Sequence, residues 1–176
     1  GDGSESDRRL IEIGLRNSDR RLAEDKPVTP VFLFCVLLWG AIRRRALETS
    51  APAGDDADSP PMLDAHALRD ATFEIVSCQQ GRVSIPKRFA QGMSDILMLQ
   101  ARFPHCQGRH ATRLYEHPRF RAAWDFLQLR SEAGECGIDE ETVAWWREIQ
   151  ALEPEEAHAR LTASTRPGAG AKRKKR

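Results

Sequence analysis

The chain has 176 residues, of which 40% are hydrophobic and 30% charged, and a formal net charge of +1. This is the composition of a folded chain with one hydrophobic core, and it excludes a collagen-like, low-complexity or membrane-embedded protein. The four cysteines, Cys35, Cys78, Cys106 and Cys136, form no Cys-x-x-Cys pair, so their spacing suggests neither a zinc site nor a disulfide scaffold, and a reducing, cytoplasmic setting fits.

In chain order, residues 1–7 are acidic and polar, without the basic-then-apolar pattern of a secretory leader, and are expected to be flexible. Leu10, Ile11, Ile13, Leu15 and Leu22 recur at helical spacing and predict a helix over about residues 6–24. Thr29-Pro30 is a helix start, with the threonine as cap and the proline in the first turn. The run Val31 to Ala46 that follows is apolar nearly all round until Arg43-Arg44-Arg45. That pattern predicts a central buried helix, too short to span a bilayer, ending on cations that suit its C-terminal dipole.

Residues 49–61 have the Pro, Gly, Ala and Asp content of a flexible linker. A third helix is expected from about Leu63 to Gln80. A fourth starts at Pro86 and carries Phe89, Met93, Ile96, Leu97 and Gln100 along one face. A short fifth covers about Arg109 to Glu116. A sixth begins at Pro118 with the stripe Phe120, Ala123, Trp124 and Leu127, and a seventh covers about Glu140 to Gln150. No stretch alternates with period two. The expected architecture is all-α: a bundle of about six or seven helices, with a body over residues 8–151 and a disordered basic tail over 152–176.

The charge is unevenly placed. Between Arg82 and Arg121 stand eight Lys or Arg and only two acids, Asp95 and Glu116. From Asp139 to Glu156 there are seven acids and one base, and Lys172 to Arg176 are all basic. Such asymmetry points to a polyanionic partner. Two segments share one shape: Ile85-Pro86-Lys87-Arg88-Phe89 and His117-Pro118-Arg119-Phe120-Arg121. Each puts a proline at a helix start, two bases in the first turn and an aromatic facing inward. A helix N-terminus disfavours cations by roughly 0.3–1 kcal/mol per charge. A bound anion would reverse that, gaining from the helix end, its amides and the bases together. Arg109 and Arg113, four apart on the short fifth helix, extend the basic surface.

Other candidates are weaker. Trp124 lies on an apolar stripe and is expected in the core. Trp145 and Trp146 are adjacent and cannot both face inward, so one is expected at the surface, in acidic surroundings that do not suit RNA stacking. The scattered histidines suggest no catalytic or metal role. Asp56-x-Asp58 lies in the linker, without the rigid frame that two-metal chemistry needs.

Several of these segments resemble the C-terminal half of bacterial poly(A) polymerases. They are Arg20 to Pro30 with Phe32-Leu33-Phe34 and Leu37-Leu38-Trp39, Ile85 to Phe89, Leu114 to Leu127, and Trp145-Trp146 with Gln150. The resemblance covers about residues 8–151. It implies a helical part that holds RNA through Lys87, Arg88, Arg119 and Arg121. It also implies that adenylate transfer from ATP, with magnesium, belongs to a catalytic head whose motifs are absent from this sequence; the chain by itself is expected to bind no cofactor and to be inactive. The expected partners are RNA and the head, with no membrane. A protein-interaction module, or the body of a tRNA CCA-adding enzyme, are the alternatives.

Overall fold

The computed structural model describes residues 2–50, 63–81 and 85–163, and within them the chain forms eight α-helices and no strand. They are α1 (Asp2–Ala23), α2 (Pro30–Thr49), α3 (Ala65–Gln80), α4 (Lys87–Gln100), α5 (Gly108–Tyr115), α6 (Phe120–Glu132), α7 (Glu140–Ala151) and α8 (Pro154–Thr162). No described helix is long and apolar enough to cross a membrane.

The all-α expectation holds, with one helix more than periodicity indicated. Residues 2–7, expected to be flexible, are the first turns of α1: Ser6 is buried and Asp7 pairs with α2. Residues 154–162, expected to open a disordered tail, form α8, which buries Ala157 and Leu161 against the rest. Both segments are helical through tertiary contact, to which a short apolar pattern gives little clue. The expected linker lies almost wholly outside the described residues, as do Arg82, Asp56, Asp58 and the basic run 172–176.

Helix α2 is the axis of the fold and packs against α1, α3, α4 and α6. Its Val31, Cys35, Val36, Trp39, Ile42 and Ala46 are buried. Helix α1 crosses it closely because two positions lack side chains: a β-carbon on Gly14 would stand 2.7 Å from Val36, and one on Gly40 would stand 2.6 Å from Asp7. A second cluster of rings surrounds Phe103. Phe120, Trp124 and Trp146 lie with centroids 6.0, 6.3 and 5.6 Å from it. Trp146 also donates its indole N–H to the Phe103 carbonyl at 2.9 Å.

Helix α2 runs three residues beyond Ala46, so the three arginines expected at its C-terminal end lie within it. Arg43 is buried and enters a polar network that ties four helices together. The Glu135 carboxylate, beyond α6, accepts from the Trp39 indole at 2.7 Å and from the Arg130 guanidinium at 3.0 and 2.7 Å. Arg130 stacks on the Trp39 ring at 4.3 Å and donates to Gln100 of α4 at 2.9 Å. Gln100 in turn donates to the Ala123 carbonyl of α6 at 3.1 Å. Arg43 stands 4.0 Å from Glu135 and reaches Asp7 of α1 at 3.3 Å. Burial alone would raise the Glu135 pKa, but Arg130, the Trp39 indole and Arg43 outweigh it and hold the carboxyl below its ordinary 4.5.

Removing one member of such a network strands the others, at a cost of about 3–5 kcal/mol. Glu135→Gln is therefore expected to lower unfolding stability at pH 7 by about 3 kcal/mol in chemical denaturation. The group's pKa is depressed by folding, so its contribution is present above the unfolded value near 4.5 and is lost as pH falls through the folded value. The gap between wild type and Glu135→Gln should narrow as pH drops below about 4.5; a gap constant down to acid pH would contradict this assignment.

Candidate functional site

Lys87 and Arg88 occupy the first turn of α4, both exposed, directly after Pro86. The proline has no amide hydrogen to leave unpaired, and its carbonyl accepts from Phe89 at 2.8 Å and from Ala90 at 3.2 Å. Phe89 turns inward against Phe34, with centroids 6.3 Å apart, and the Arg88 guanidinium lies 4.9 Å over the Phe89 ring.

The second basic segment is built differently from the first. Helix α6 starts at Phe120 and not at Pro118. The chain turns at His117, whose Nδ1 accepts the Arg119 amide at 3.0 Å and whose carbonyl accepts Phe120 at 2.8 Å. Arg119 is thus the N-cap, and the shared proline-start pattern holds only for α4. Arg121 is exposed and pairs with Asp125 at 3.3 Å. Burial raises the Asp125 pKa, which the Arg121 and Arg21 charges partly oppose. Arg21, from the last turn of α1, therefore belongs to this basic neighbourhood although the sequence pattern did not single it out.

Arg119 is half-buried, unlike Lys87, Arg88 and Arg121. Its guanidinium lies against α4 at Gly92: a β-carbon there would lie 3.3 Å from an Arg119 nitrogen and 3.1 Å from Val31 Cγ1 of α2. Nearby lies Cys35, fully buried, whose thiol is pushed far up by burial, with the Arg119 charge opposing. Val31 is in the first turn of α2, Gly92 in the second turn of α4, and Arg119 at the N-cap of α6. The first turn of α2, the second turn of α4 and the N-cap side chain of α6 therefore meet at Gly92. None of these three helices has an acid in its first turn or a side-chain cap. The other described helix starts vary: Asp64 caps α3, Asp139 caps α7 ahead of Glu140 and Glu141, α8 opens with Glu155 and Glu156, and α5, like the three, has neither cap nor acid. The starts of α2, α4 and α6 offer donors and positive charge, which is the chemistry of holding an anion.

Arg109 and Arg113, both exposed, line a shallow groove between α5 and the end of α8, with Gly108, Thr112, Glu116 and Thr162. They extend the basic surface on another part of the fold. The aromatic side chains serve packing: Trp124 and Trp146 are buried. Trp145, one of the two candidates for the surface, is half-buried and covered by Arg160 of α8 at 4.9 Å, so α7 presents no bare tryptophan to a partner. Among the described residues, no group of three His, Cys, Asp or Glu side chains could hold a metal ion.

Residues 61–176 match the family described as polymerase A arginine-rich C-terminus. The chain belongs to that family. It is 36% identical to poly(A) polymerase I of Escherichia coli O6:H1 over 146 residues, which is 83% of this chain and 30% of that protein. The poly(A) polymerase I of Salmonella typhimurium is 33% identical over 159 residues, 90% of this chain and 33% of its own length. That of Haemophilus influenzae is 31% identical over 142 residues, 81% of this chain and 30% of its own length. The chain thus spans about a third of the curated relatives it matches. In this member of the arginine-rich C-terminus family, Lys87, Arg88, Arg119 and Arg121 all stand at uncapped helix ends.

If the gathered bases set anion affinity, the carboxylate among them opposes it. Asp125→Asn, which leaves Arg121 and Arg21 unopposed, is expected to raise affinity for a labelled oligoadenylate about threefold and to steepen its salt dependence. Unchanged anisotropy titrations would remove Arg121 and Arg21 from the site.

Proposed function

We propose that this chain is the RNA-holding part of a poly(A) polymerase, gripping RNA phosphates where α2, α4 and α6 begin. The observation that carries the reading is the half-buried Arg119 at the uncapped start of α6, its guanidinium beside Gly92 of α4 where Val31 from the uncapped first turn of α2 also packs. Lys87 and Arg88 in the first turn of α4 and Arg121 in the first turn of α6 are exposed cations at those helix starts, and Arg109 and Arg113 add two more on α5. The relatives' name supplies the class of polyanion, an RNA receiving adenylates.

In this reading the chain contributes orientation. A held phosphate backbone fixes where the 3′ hydroxyl lies, and fixing a reactant replaces a bimolecular encounter with a positioned one. Adenylate transfer from ATP, with its magnesium, is assigned to a catalytic head. Leu15 and Leu22, seven apart on α1 and 44% and 61% exposed, offer that head an apolar strip to pack on. The setting that goes with this work is the cytoplasm.

The test is charge reversal at both basic helix starts. Lys87→Glu with Arg119→Glu is expected to weaken oligoadenylate binding about a hundredfold in fluorescence anisotropy. It should also reduce the log–log salt slope by roughly 1–1.5, as two phosphate contacts on a single strand predict. Wild-type affinity and slope in the double variant, with helical circular dichroism intact, would defeat the proposal.

A further inference from the structure

Arg119 differs from every other base in the candidate site because its place is built. Lys87, Arg88 and Arg121 project from the surface, where a long side chain samples many rotamers and ordering it offsets part of any contact energy. Arg119 is half-buried, with its guanidinium beside Gly92 and close enough to the buried Cys35 for its charge to act on that thiol. Gly92 is itself buried and sits inside α4, between Phe89 and Met93. A glycine in a helix interior is less stable than an alanine there, so it needs a reason in packing or function. The reason is visible in two contacts. A β-carbon there would press on Val31 at 3.1 Å and on the Arg119 guanidinium at 3.3 Å.

We infer that Gly92 is a positioning residue for RNA: its missing side chain is the seat that fixes the Arg119 guanidinium, so that Arg119 meets one phosphate of the strand as a preset fork while the surrounding bases act as loose charges. This rests on the RNA-holding reading above and deepens it. The fork matters because a guanidinium presents paired donors in a plane that matches two phosphate oxygens, whereas an ammonium is a point charge on a flexible stem. Held in advance, the fork loses little freedom on binding. Arg88 lies one turn before Gly92 on the same face of α4, so the seated fork and the first-turn cations address neighbouring stretches of one strand.

The experiment uses the whole chain and a fluorescein-labelled oligoadenylate, titrated by anisotropy across a range of KCl. Arg119→Ala is expected to weaken binding about tenfold, the loss of a charge-assisted pair of hydrogen bonds. Gly92→Val should weaken it comparably, and Gly92→Val added to Arg119→Ala should cause no further loss, because both act through one contact. Val31→Ala with Gly92→Ala relieves the valine contact and leaves only the one with the arginine; it should still lower affinity, and it is the variant to use if Gly92→Val does not fold. Arg119→Lys keeps the charge and should bind as poorly as Arg119→Ala. Wild-type binding by the glycine variants, additive losses in the double variant, or recovery with lysine would each overturn the seat. If instead Arg119→Ala itself binds like wild type, the RNA-holding reading fails and not merely the role of Gly92.

Discussion

The arrangement of the whole domain depends on one buried carboxylate. Glu135, just beyond α6, binds Arg130 through both oxygens, takes the Trp39 indole hydrogen and faces Arg43. Through those partners and Gln100 it joins α2, α4 and α6, and Arg43 carries the connection on to Asp7 of α1. A buried charge without partners is costly, so the paired Glu135 and Arg130 restrict how the helices pack, while the buried Arg43 Nε is left without a hydrogen-bond partner.

Gln100 is the last residue of α4, Arg130 is in the last turn of α6, and Arg43 lies in the second half of α2. The network therefore holds the end of α4 against α6, at Arg130 in its last turn and at the Ala123 carbonyl in its first, and ties both to α2 through Glu135 and Trp39. Lys87, Arg88, Arg119 and Arg121 add positive charge at the starts of α4 and α6, where the helix dipole disfavours it. Arg130 suits the negative end of α6, and Asp125 offsets Arg121.

The sequence was most legible where one physical pattern decided the outcome. The period of apolar residues located α2, α4, α6 and α7, and the buried stripe Met93, Ile96, Leu97 and Gln100 lies where expected. The start of α4 after Pro86 was readable too, and Lys87 and Arg88 stand exposed in its first turn. Residues 2–7 and α8 were not readable, since each is helical through contacts with distant segments: Asp7 with Arg43 and Arg44, and Ala157 and Leu161 with the core. Arg43 looked like a C-terminal cation because its partner Glu135 is far along the chain. Gly92 carried a signal that was passed over, a glycine in the middle of an apolar stripe. Arg21 carried none, since only the folded chain brings α1 to Asp125.

The central claim is that the N-terminal ends of α2, α4 and α6 act as one anion-binding surface. Hydrogen–deuterium exchange on the whole chain, with and without a saturating oligoadenylate, tests it most directly. Slower exchange is predicted together at the amides following Pro30, Pro86 and Arg119, with α3 and α7 unchanged. Protection confined to α5 and α8, or to residues beyond 163, with those three helix starts unaffected, would contradict it.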